Sequence, residues 1–252
     1  MLTACRSILP LQVLDPVALD DPAAVVSLLN PTGGVLGGDR LTIDLTLGEG
    51  AHACVTTPSA TRVYRTAGAP AVQAVRLDLA RGAIVEWVPD HTIPSAGAAL
   101  QQSFDVEIAE GARLILIDAF AAGRIARGEA WGFTRLDSAL TVRDAHGLLL
   151  HDRFALRGGI EWSGLGLAEG RPYFATIVLV ADDGLDAFIA ELPGVLPASG
   201  AATVGVARLP RRGALARCLA ADAPALATTL EAVWRLARTR LLGLAPLSLR
   251  KL

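Results

Sequence analysis

Residues 40–57 read RLTIDLTLGEGAHACVTT, two β-forming runs joined by a glycine turn. In the first run, residues 40–47, every second side chain is leucine or isoleucine, which predicts a strand with one buried face. The second run, residues 51–57, is rich in small and β-branched residues and predicts another strand. Because Gly48-Glu49-Gly50 forms a tight turn between them, we expect the two strands to pair as a hairpin.

The same strand, glycine turn and strand recur twice further along the chain. Residues 76–88 read RLDLARGAIVEWV, and residues 105–117 read DVEIAEGARLILI. The turn glycines Gly50, Gly82 and Gly111 lie about thirty residues apart, and only glycine enters the positive-φ region without steric cost. A unit repeated at near-constant spacing predicts stacked, solenoid-like β layers. An ordinary β-sandwich, in which turns also recur, is the alternative.

The rest of the chain predicts more strands and two helices. Further strands are expected at residues 139–143, 148–156, 173–180 and 203–209. One helix is expected over residues 185–192 and is stopped by Pro193-Gly194. A second covers residues 223–242, with Asp222 as N-cap and Gly243 just past its end. Its apolar stripe is predicted to face the core, and the opposite face carries Thr228, Glu231, Arg235 and Arg238.

The predicted fold is therefore mainly β, with stacked, solenoid-like β layers in one domain, residues 1–252, and two helices in the C-terminal third. The composition, 52% hydrophobic and 19% charged, is that of a packed globular chain and excludes intrinsic disorder. A net charge of −2 argues against general nucleic-acid binding.

The cysteines and the hydropathy of the sequence indicate the cellular location of the protein. Cys5, Cys54 and Cys218 are odd in number and far apart, so they give no disulfide framework and favour a reducing, cytoplasmic location. The N-terminal segment lacks the apolar run of a secretory signal. No apolar run approaches the ~20 residues of a membrane-spanning helix, so no membrane insertion is expected.

A glycine-rich segment, residues 30–39, reads NPTGGVLGGD. A phosphate-binding loop would end in Gly-Lys-Ser/Thr and open a helix, whereas this segment opens the strand at residue 40. The segment is therefore interpreted as a turn that needs positive φ angles or a close backbone approach.

Candidate metal ligands are few. His52 and Cys54 are two apart on a strand, so they share a face and form one soft pair suited to nickel or zinc. The competing interpretation is a packed thiol beside a hydrogen-bonded histidine. His91 is expected on a loop beside an acid. No cofactor-binding residue is predicted, and metal ligands stay unassigned.

Catalytic signatures are weak. Ser59 lacks the flanking glycines of a nucleophile elbow. Glu86 with Asp90, or Asp118 with Glu129, are possible acid/base pairs, but the sequence gives no distance between them. Arg124 and Arg127 share a glycine-bounded loop with Glu129, where they would bind a partner's carboxylates or form an internal salt bridge. No catalytic residue is predicted.

Four segments in order resemble the urease accessory protein UreD family, also called UreH. They are NPTGG with GGD at residues 30–39, TTP through YR at 56–65, EWVP at 86–89, and GR with GE at 123–129. The resemblance is strongest over residues 25–155, and Trp234 in the last helix is similar to the family's C-terminal region. Family members usually begin with an additional basic strand before the segment that corresponds to residues 7–14, so we expect here either a misassigned start or a missing edge strand. His91 and Arg62 stand where the family often has Glu and Lys.

The resemblance implies a mainly β, solenoid-like accessory protein without catalytic activity of its own. It implies a scaffold and chaperone that binds urease apoprotein and a UreF-type protein, and reaches a UreG-type GTPase through that complex. It also implies nickel insertion into urease, with no tightly bound cofactor but with nickel held weakly in transit. Inward-facing strand acids would serve that transit, unless they simply face solvent: Asp44, Asp78, Glu86 and Asp118. The alternatives are a β-rich hydrolase using Glu86 and Asp90 or the loop of residues 124–129, and an interaction module with no link to metal.

Overall fold

The computed structural model describes residues 2–17, 19–160, 162 and 164–249. Its strands are β1 (Gln12–Val13), β2 (Ala24–Leu29), β3 (Arg40–Leu47), β4 (His52–Thr56), β5 (Thr61–Val63), β6 (Ala71–Leu79), β7 (Ile84–Trp87), β8 (Thr92–Pro94), β9 (Ala99–Ile108), β10 (Arg113–Ala121), β11 (Arg135–Asp144), β12 (Gly147–Arg157), β13 (Tyr173–Val180), β14 (Ala202–Arg208) and β15 (Gly213–Ala220). The α-helices are α1 (Leu185–Val195) and α2 (Ala223–Ala237). With 44% strand and 14% helix, the mainly β prediction is confirmed.

Two sheets pack face to face, and the helices cover the far side of one of them. The helix-side sheet has the order β1-β2-β4-β7-β10-β13-β15-β14, with β8 beside β10 and β5 beside β8. The outer sheet has the order β12-β11-β9-β6-β3. Strands β3, β6, β9 and β11 of the outer sheet are parallel, as are β2, β4, β7 and β10 of the helix-side sheet.

The predicted hairpin between β3 and β4 is wrong, because these strands lie in different sheets. β3 pairs in parallel with β6, and β4 pairs in parallel with β7. The chain thus crosses between the sheets at each glycine turn and returns one layer further on, which is the predicted solenoid-like stacking. The physical reason is that β4 buries both of its faces, as parallel strands between two covering layers do.

The three turn glycines stack on one another as predicted. Gly50, Gly82 and Gly111 have φ angles of 64°, 67° and 69°. The N–H of Gly50 donates to the carbonyl of Arg81 at 3.0 Å, and that of Gly82 donates to the carbonyl of Glu110 at 3.1 Å. Each turn therefore supplies hydrogen bonds to the one before it in sequence, which extends the parallel ladders through the bends.

The helices follow their predicted positions with two differences. α1 runs through Pro193 to Val195, because a proline two residues before a helix end removes only one hydrogen bond. α2 is capped by Asp222, whose side chain accepts from the Ala225 N–H at 2.7 Å, and it continues as a π-helical turn, Arg238–Leu242, which Gly243 ends. Within the described residues, neither helix has the length and apolar character needed to cross a membrane.

Candidate functional site

A band of polar side chains, here called the polar layer, crosses the core between the two sheets. Apolar clusters lie on both sides of it, one near the glycine turns around Phe104 and one further away around Phe120. Along β9 the inward side chains are Leu100, Gln102 and Phe104, so a single polar residue separates the two clusters. The same position is polar in neighbouring strands of both sheets: Gln73 in β6, Ser138 in β11, Asp118 in β10, Thr176 in β13 and Arg217 in β15. Asp152 of β12, which is opposite Leu140, joins the layer by accepting a hydrogen bond from Arg217.

Asp118 is the centre of the polar layer. The Gln102 amide nitrogen lies 2.9 Å from both of its carboxylate oxygens, and the Ser138 hydroxyl donates to Oδ2 at 3.2 Å. Gln73 donates in turn to the Gln102 carbonyl oxygen at 3.3 Å. The nearest cation in the layer, Arg217, is directed elsewhere, donating to Thr176 and to Asp152 at 2.5 Å each. Asp118 therefore has neutral hydrogen-bond donors and no direct ion pair among these contacts.

This environment changes the acidity of Asp118. Burial raises its pKa from the usual 3.8 to about 7, against the opposing effects of Gln102, Ser138 and the Arg217 charge. Desolvation penalises the ionised carboxylate, and neutral donors compensate only part of that cost. Asp118 therefore exchanges a proton near neutral pH.

A cavity of about 90 Å³ opens beside the polar layer, lined by Gln73, Gln102 and Asp118 together with Thr57, Asp90 and Ser59. This volume holds more than one water molecule. The glycine-rich segment forms part of the wall: Asn30 donates from its side chain to the Gly34 carbonyl at 2.9 Å, and a Cβ on Gly34 would lie 2.6 Å from the Tyr64 ring. The predicted close-approach turn is confirmed.

A second buried carboxylate, Glu86, lies on the opposite face of the helix-side sheet. It accepts hydrogen bonds from Arg238, from Trp234 Nε1 at 2.6 Å and from His52 Nε2 at 2.8 Å. Arg238 is itself fully buried and also binds Asp21 and the carbonyl of Ala245. These contacts, here called the Glu86 network, tie the last helix and the tail after it to the sheet.

Arg238 is the functional residue that sequence reasoning misplaced. The helical pattern put it on the solvent face of α2, whereas the structure buries it completely. Arg238 lies at the border of the apolar stripe with α-helical dihedral angles, and its side chain turns inward to bind the buried Glu86 carboxylate. Its spacing of four residues after Trp234 was the available signal, because both side chains then share a face.

The proposed soft metal pair has other partners. His52 and Cys54 do lie on one face, towards the helices, as predicted. The His52 ring binds Glu86, and Cys54 is packed in the helix-side core, which agrees with the competing interpretation. Over the described ranges, no group of three or more His, Cys, Asp or Glu side chains has the arrangement of a metal site.

The proposed acid/base pairs do not form. Glu86 is fully buried by its three side-chain partners. Asp90 lies in the loop after β7, lines both the inter-sheet cavity and a pocket beside α2, and donates its N–H to the Thr57 hydroxyl at 2.9 Å. Asp118 lies in the polar layer. Glu129 forms a bidentate salt bridge with Arg124 at 2.7 and 2.6 Å, and these bonds hold the pKa of Glu129 below its usual value. The internal salt bridge, rather than free guanidinium forks, is thus confirmed for Arg124, while Arg127 is exposed.

The remaining predicted residues lie on different faces of the two sheets. Asp44 and Asp78 are exposed on the outer surface of the outer sheet, which agrees with the alternative that they are ordinary solvent-facing strand residues. His91 packs edge-on against the Tyr173 ring, with 5.9 Å between the ring centroids. Of the four acids considered for metal transit, only Asp118 lies between the sheets.

Comparison with known proteins gives one consistent result. A family profile described as UreD urease accessory protein matches residues 1–251. The chain is 37% identical over 256 residues to a urease accessory protein UreD of Delftia acidovorans, covering 93% of this chain and 83% of that protein. It is 37% identical over 237 residues to one from Pseudomonas aeruginosa, with 93% and 82% covered. It is 34% identical over 246 residues to one from Deinococcus radiodurans, with 96% and 86% covered.

Proposed function

The chain belongs to the UreD family of urease accessory proteins, whose role is in urease maturation, and from this premise we propose that it is a scaffold and chaperone for nickel insertion into urease. Its partners in this proposal are urease apoprotein, a UreF-type protein and, through that complex, a UreG-type GTPase whose GTP hydrolysis accompanies insertion. The relatives are named as accessory proteins rather than as enzymes.

The observation that carries the nickel part of the proposal is the polar layer beside the cavity. Asp118, Gln102 and Ser138 offer carboxylate, amide and hydroxyl oxygens, which hold a divalent cation weakly enough for exchange. Because the pKa of Asp118 is raised to about 7, the arriving ion would displace a proton at little cost near neutral pH. Nickel is cargo in this proposal and has no permanent site.

Exposed apolar side chains support the scaffold part. The segment between β12 and β13 exposes Leu165 to 94%, and Ile160 and Leu167 to about half. Such side chains on a connecting segment are suited to burial against a partner. A cytoplasmic location, where the urease apoprotein and a GTPase would be available, is part of the same proposal and agrees with the absence of disulfide bonds among Cys5, Cys54 and Cys218.

The hydrolase alternative finds less support. Glu86 is fully buried and already accepts three side-chain hydrogen bonds, so it offers no surface to a substrate. A general acid or base must reach the proton that it transfers. The Glu86 network is therefore better explained as an attachment of the last helix.

The test is co-expression of the full chain with urease subunits and UreF- and UreG-type partners in nickel-containing medium. We expect the tagged chain to retain the UreF-type protein and urease in a pull-down, and urease activity to fall to background when the chain is omitted. Activity that is equal with and without the chain, or a chain that binds neither partner, would contradict the proposal. Purified chain assayed alone against ester and glycoside substrates tests the hydrolase alternative in parallel.

A further inference from the structure

The helix-side sheet is interrupted beside Asp118. β10 pairs with β7 over its first four residues and with β8 at Phe120. Between these points, in the described part of the chain, residues 117–119 have no β-pairing on that side. The next strands lose their regular structure at the same level, over residues 88–91 between β7 and β8 and residues 57–60 between β4 and β5. Two short connecting segments therefore replace the sheet at the level of Asp118.

Proline explains why the ladder does not continue through this interruption. Pro58 and Pro89 lie one in each segment, and neither has an N–H group to donate to a neighbouring strand. The Asp90 N–H donates to the Thr57 side chain at 2.9 Å instead of to a backbone carbonyl. The two segments are therefore joined by an irregular contact, and regular strand pairing does not close the sheet between them.

Two cavities meet at the interruption. The inter-sheet cavity of about 90 Å³, which Asp118 lines, extends to Pro89 and Asp90. A groove of about 450 Å³ beside α2 extends to the same two residues from the other face of the sheet, and its floor includes Ile117. Ile117 and Asp118 are neighbours in β10 and face opposite sides. Only the loop of residues 88–91 therefore lies between the groove and the cavity at this point.

The chemistry of the interruption suits a cation. Elsewhere in the sheet, an ion would have to leave water among paired backbone groups and packed side chains, which is costly without a compensating charge. Asp90 is the only acidic residue in the two segments, and it is half-buried. A single carboxylate binds a divalent cation weakly and releases it readily, because most of the ion's other ligands are still water.

We propose that the two segments, residues 57–60 and 88–91, form a portal through which a divalent cation passes between the groove beside α2 and the cavity at Asp118. The Asp90 carboxylate is the temporary ligand of the ion in the portal. This inference rests on the nickel part of the proposed function and names the place at which the ion crosses the sheet.

The first test measures the nickel content of urease matured in cells that co-express the full chain, urease and the UreF- and UreG-type partners. Asp90→Leu replaces the carboxylate by an apolar side chain, and urease should then contain several-fold less nickel. Asp90→Glu keeps a carboxylate and should preserve the nickel content. Glu231→Leu is the matched control and should also preserve it, because Glu231 lines the groove but not the inter-sheet cavity.

Two measurements establish that the variants are comparable. Substitution of the Asp90 side chain retains its backbone N–H and hence the hydrogen bond to Thr57, so the variants should fold. Thermal melting followed by circular dichroism checks this. A pull-down should show that each variant retains the partners as the unmodified chain does.

The second test uses nickel alone with the purified full chain. The chain is loaded with radioactive nickel, and release to excess EDTA is timed after rapid mixing. A residue that lies on the path changes the rates of loading and release by the same factor, whereas a residue of the binding site changes the amount bound at equilibrium. Asp90→Leu should slow both rates several-fold with little change in the amount bound, and Asp118→Ala should lower that amount.

The portal is overturned if urease matured with Asp90→Leu contains as much nickel as with the unmodified chain, or if Glu231→Leu lowers the content equally. It is also overturned if folded Asp90→Leu loses the partners, since the groove would then be a docking surface. Asp118→Ala, tested in parallel, distinguishes two failures. If only Asp118→Ala lowers the nickel content, the portal alone is wrong. If neither variant lowers it, the nickel part of the proposed function is wrong as well.

Discussion

Glu86 and Asp118 are two carboxylates buried on opposite faces of the same sheet, and they differ in their partners. Glu86, on the helix side, is bound by the Arg238 guanidinium and by two ring N–H groups. Asp118, on the inter-sheet side, is bound by an amide and a hydroxyl beside a cavity. The two side chains are buried to nearly the same extent, so what distinguishes them is whether a cation is bound to the carboxylate.

The comparison shows how one sheet serves two purposes. A buried carboxylate with a bound arginine is a fixed connection, because loss of either partner leaves an uncompensated charge. A buried carboxylate with neutral donors keeps its proton to higher pH and can exchange it for another cation. We therefore expect the Glu86 network to stabilise the fold, and the polar layer to carry the function.

The largest expected effect comes from breaking the Glu86 network. Arg238→Met removes the buried cation and leaves Glu86 and Asp21 without it, which should lower the free energy of unfolding by about 3–5 kcal/mol. Urea denaturation followed by circular dichroism measures this. The control is Arg235→Met on the same helix, which affects only a surface pair with Glu231 and should cost less than about 1 kcal/mol. Equal effects of the two substitutions would refute the distinction.

The next effect is the pH dependence contributed by Asp118. Its pKa is about 7 in the folded state and near 3.8 when unfolded, so the folded state holds the additional proton between these values. Stability from this group is therefore lost as pH rises from about 4 to 7, by roughly 2–4 kcal/mol. We expect Asp118→Asn, which cannot ionise, to gain stability relative to the unmodified chain as pH rises from about 4 to 7. A difference between the two proteins that is independent of pH would show that Asp118 is ionised throughout.

A smaller effect is expected from the hydrogen bond that Trp234 donates to Glu86. Trp234→Phe keeps an aromatic ring in the helix-side core and removes the Nε1–H donor to Glu86, which is worth about 1.5–3 kcal/mol for a charged acceptor. Trp162→Phe is the control, since that indole donates to the Arg157 carbonyl in an exposed position. Thermal unfolding at pH 7 should show a clear decrease in Tm for Trp234→Phe only. If the decrease in Tm is the same in both variants, the Trp234 indole N–H contributes little to the network.

Much of the fold was predictable because it depends on local pattern. Alternation in residues 40–47 and the glycines at 50, 82 and 111 predicted the stacked layers. The hairpin prediction failed because strand, turn and strand look the same in sequence whether the strands share a sheet or cross between two. The one local signal was in β4, whose run of buried residues lacks alternation and so indicates a strand covered on both faces.

The site was predictable only in part. Asp118 was one of four acids under consideration, and strand pairing rather than composition separates it from Asp44 and Asp78. A signal was present in β10, where a single acid interrupts the buried run RLILIDAFA. The recurrence of a polar residue between apolar ones in neighbouring strands was a second signal. Arg238 was misplaced because it lies at the border of the apolar stripe, although its spacing of four residues after Trp234 was a signal that the two side chains share a face.

The most direct test of the account is the nickel content of urease matured with two aspartate variants of this chain. Asp118→Ala removes the carboxylate between the sheets, and Asp78→Ala removes one on the outer surface. We expect both variants to be retained with the partners in a pull-down, and urease matured with Asp118→Ala to contain several-fold less nickel than urease matured with Asp78→Ala. Equal nickel content with the two variants, in complexes of equal yield, would contradict the role of the polar layer.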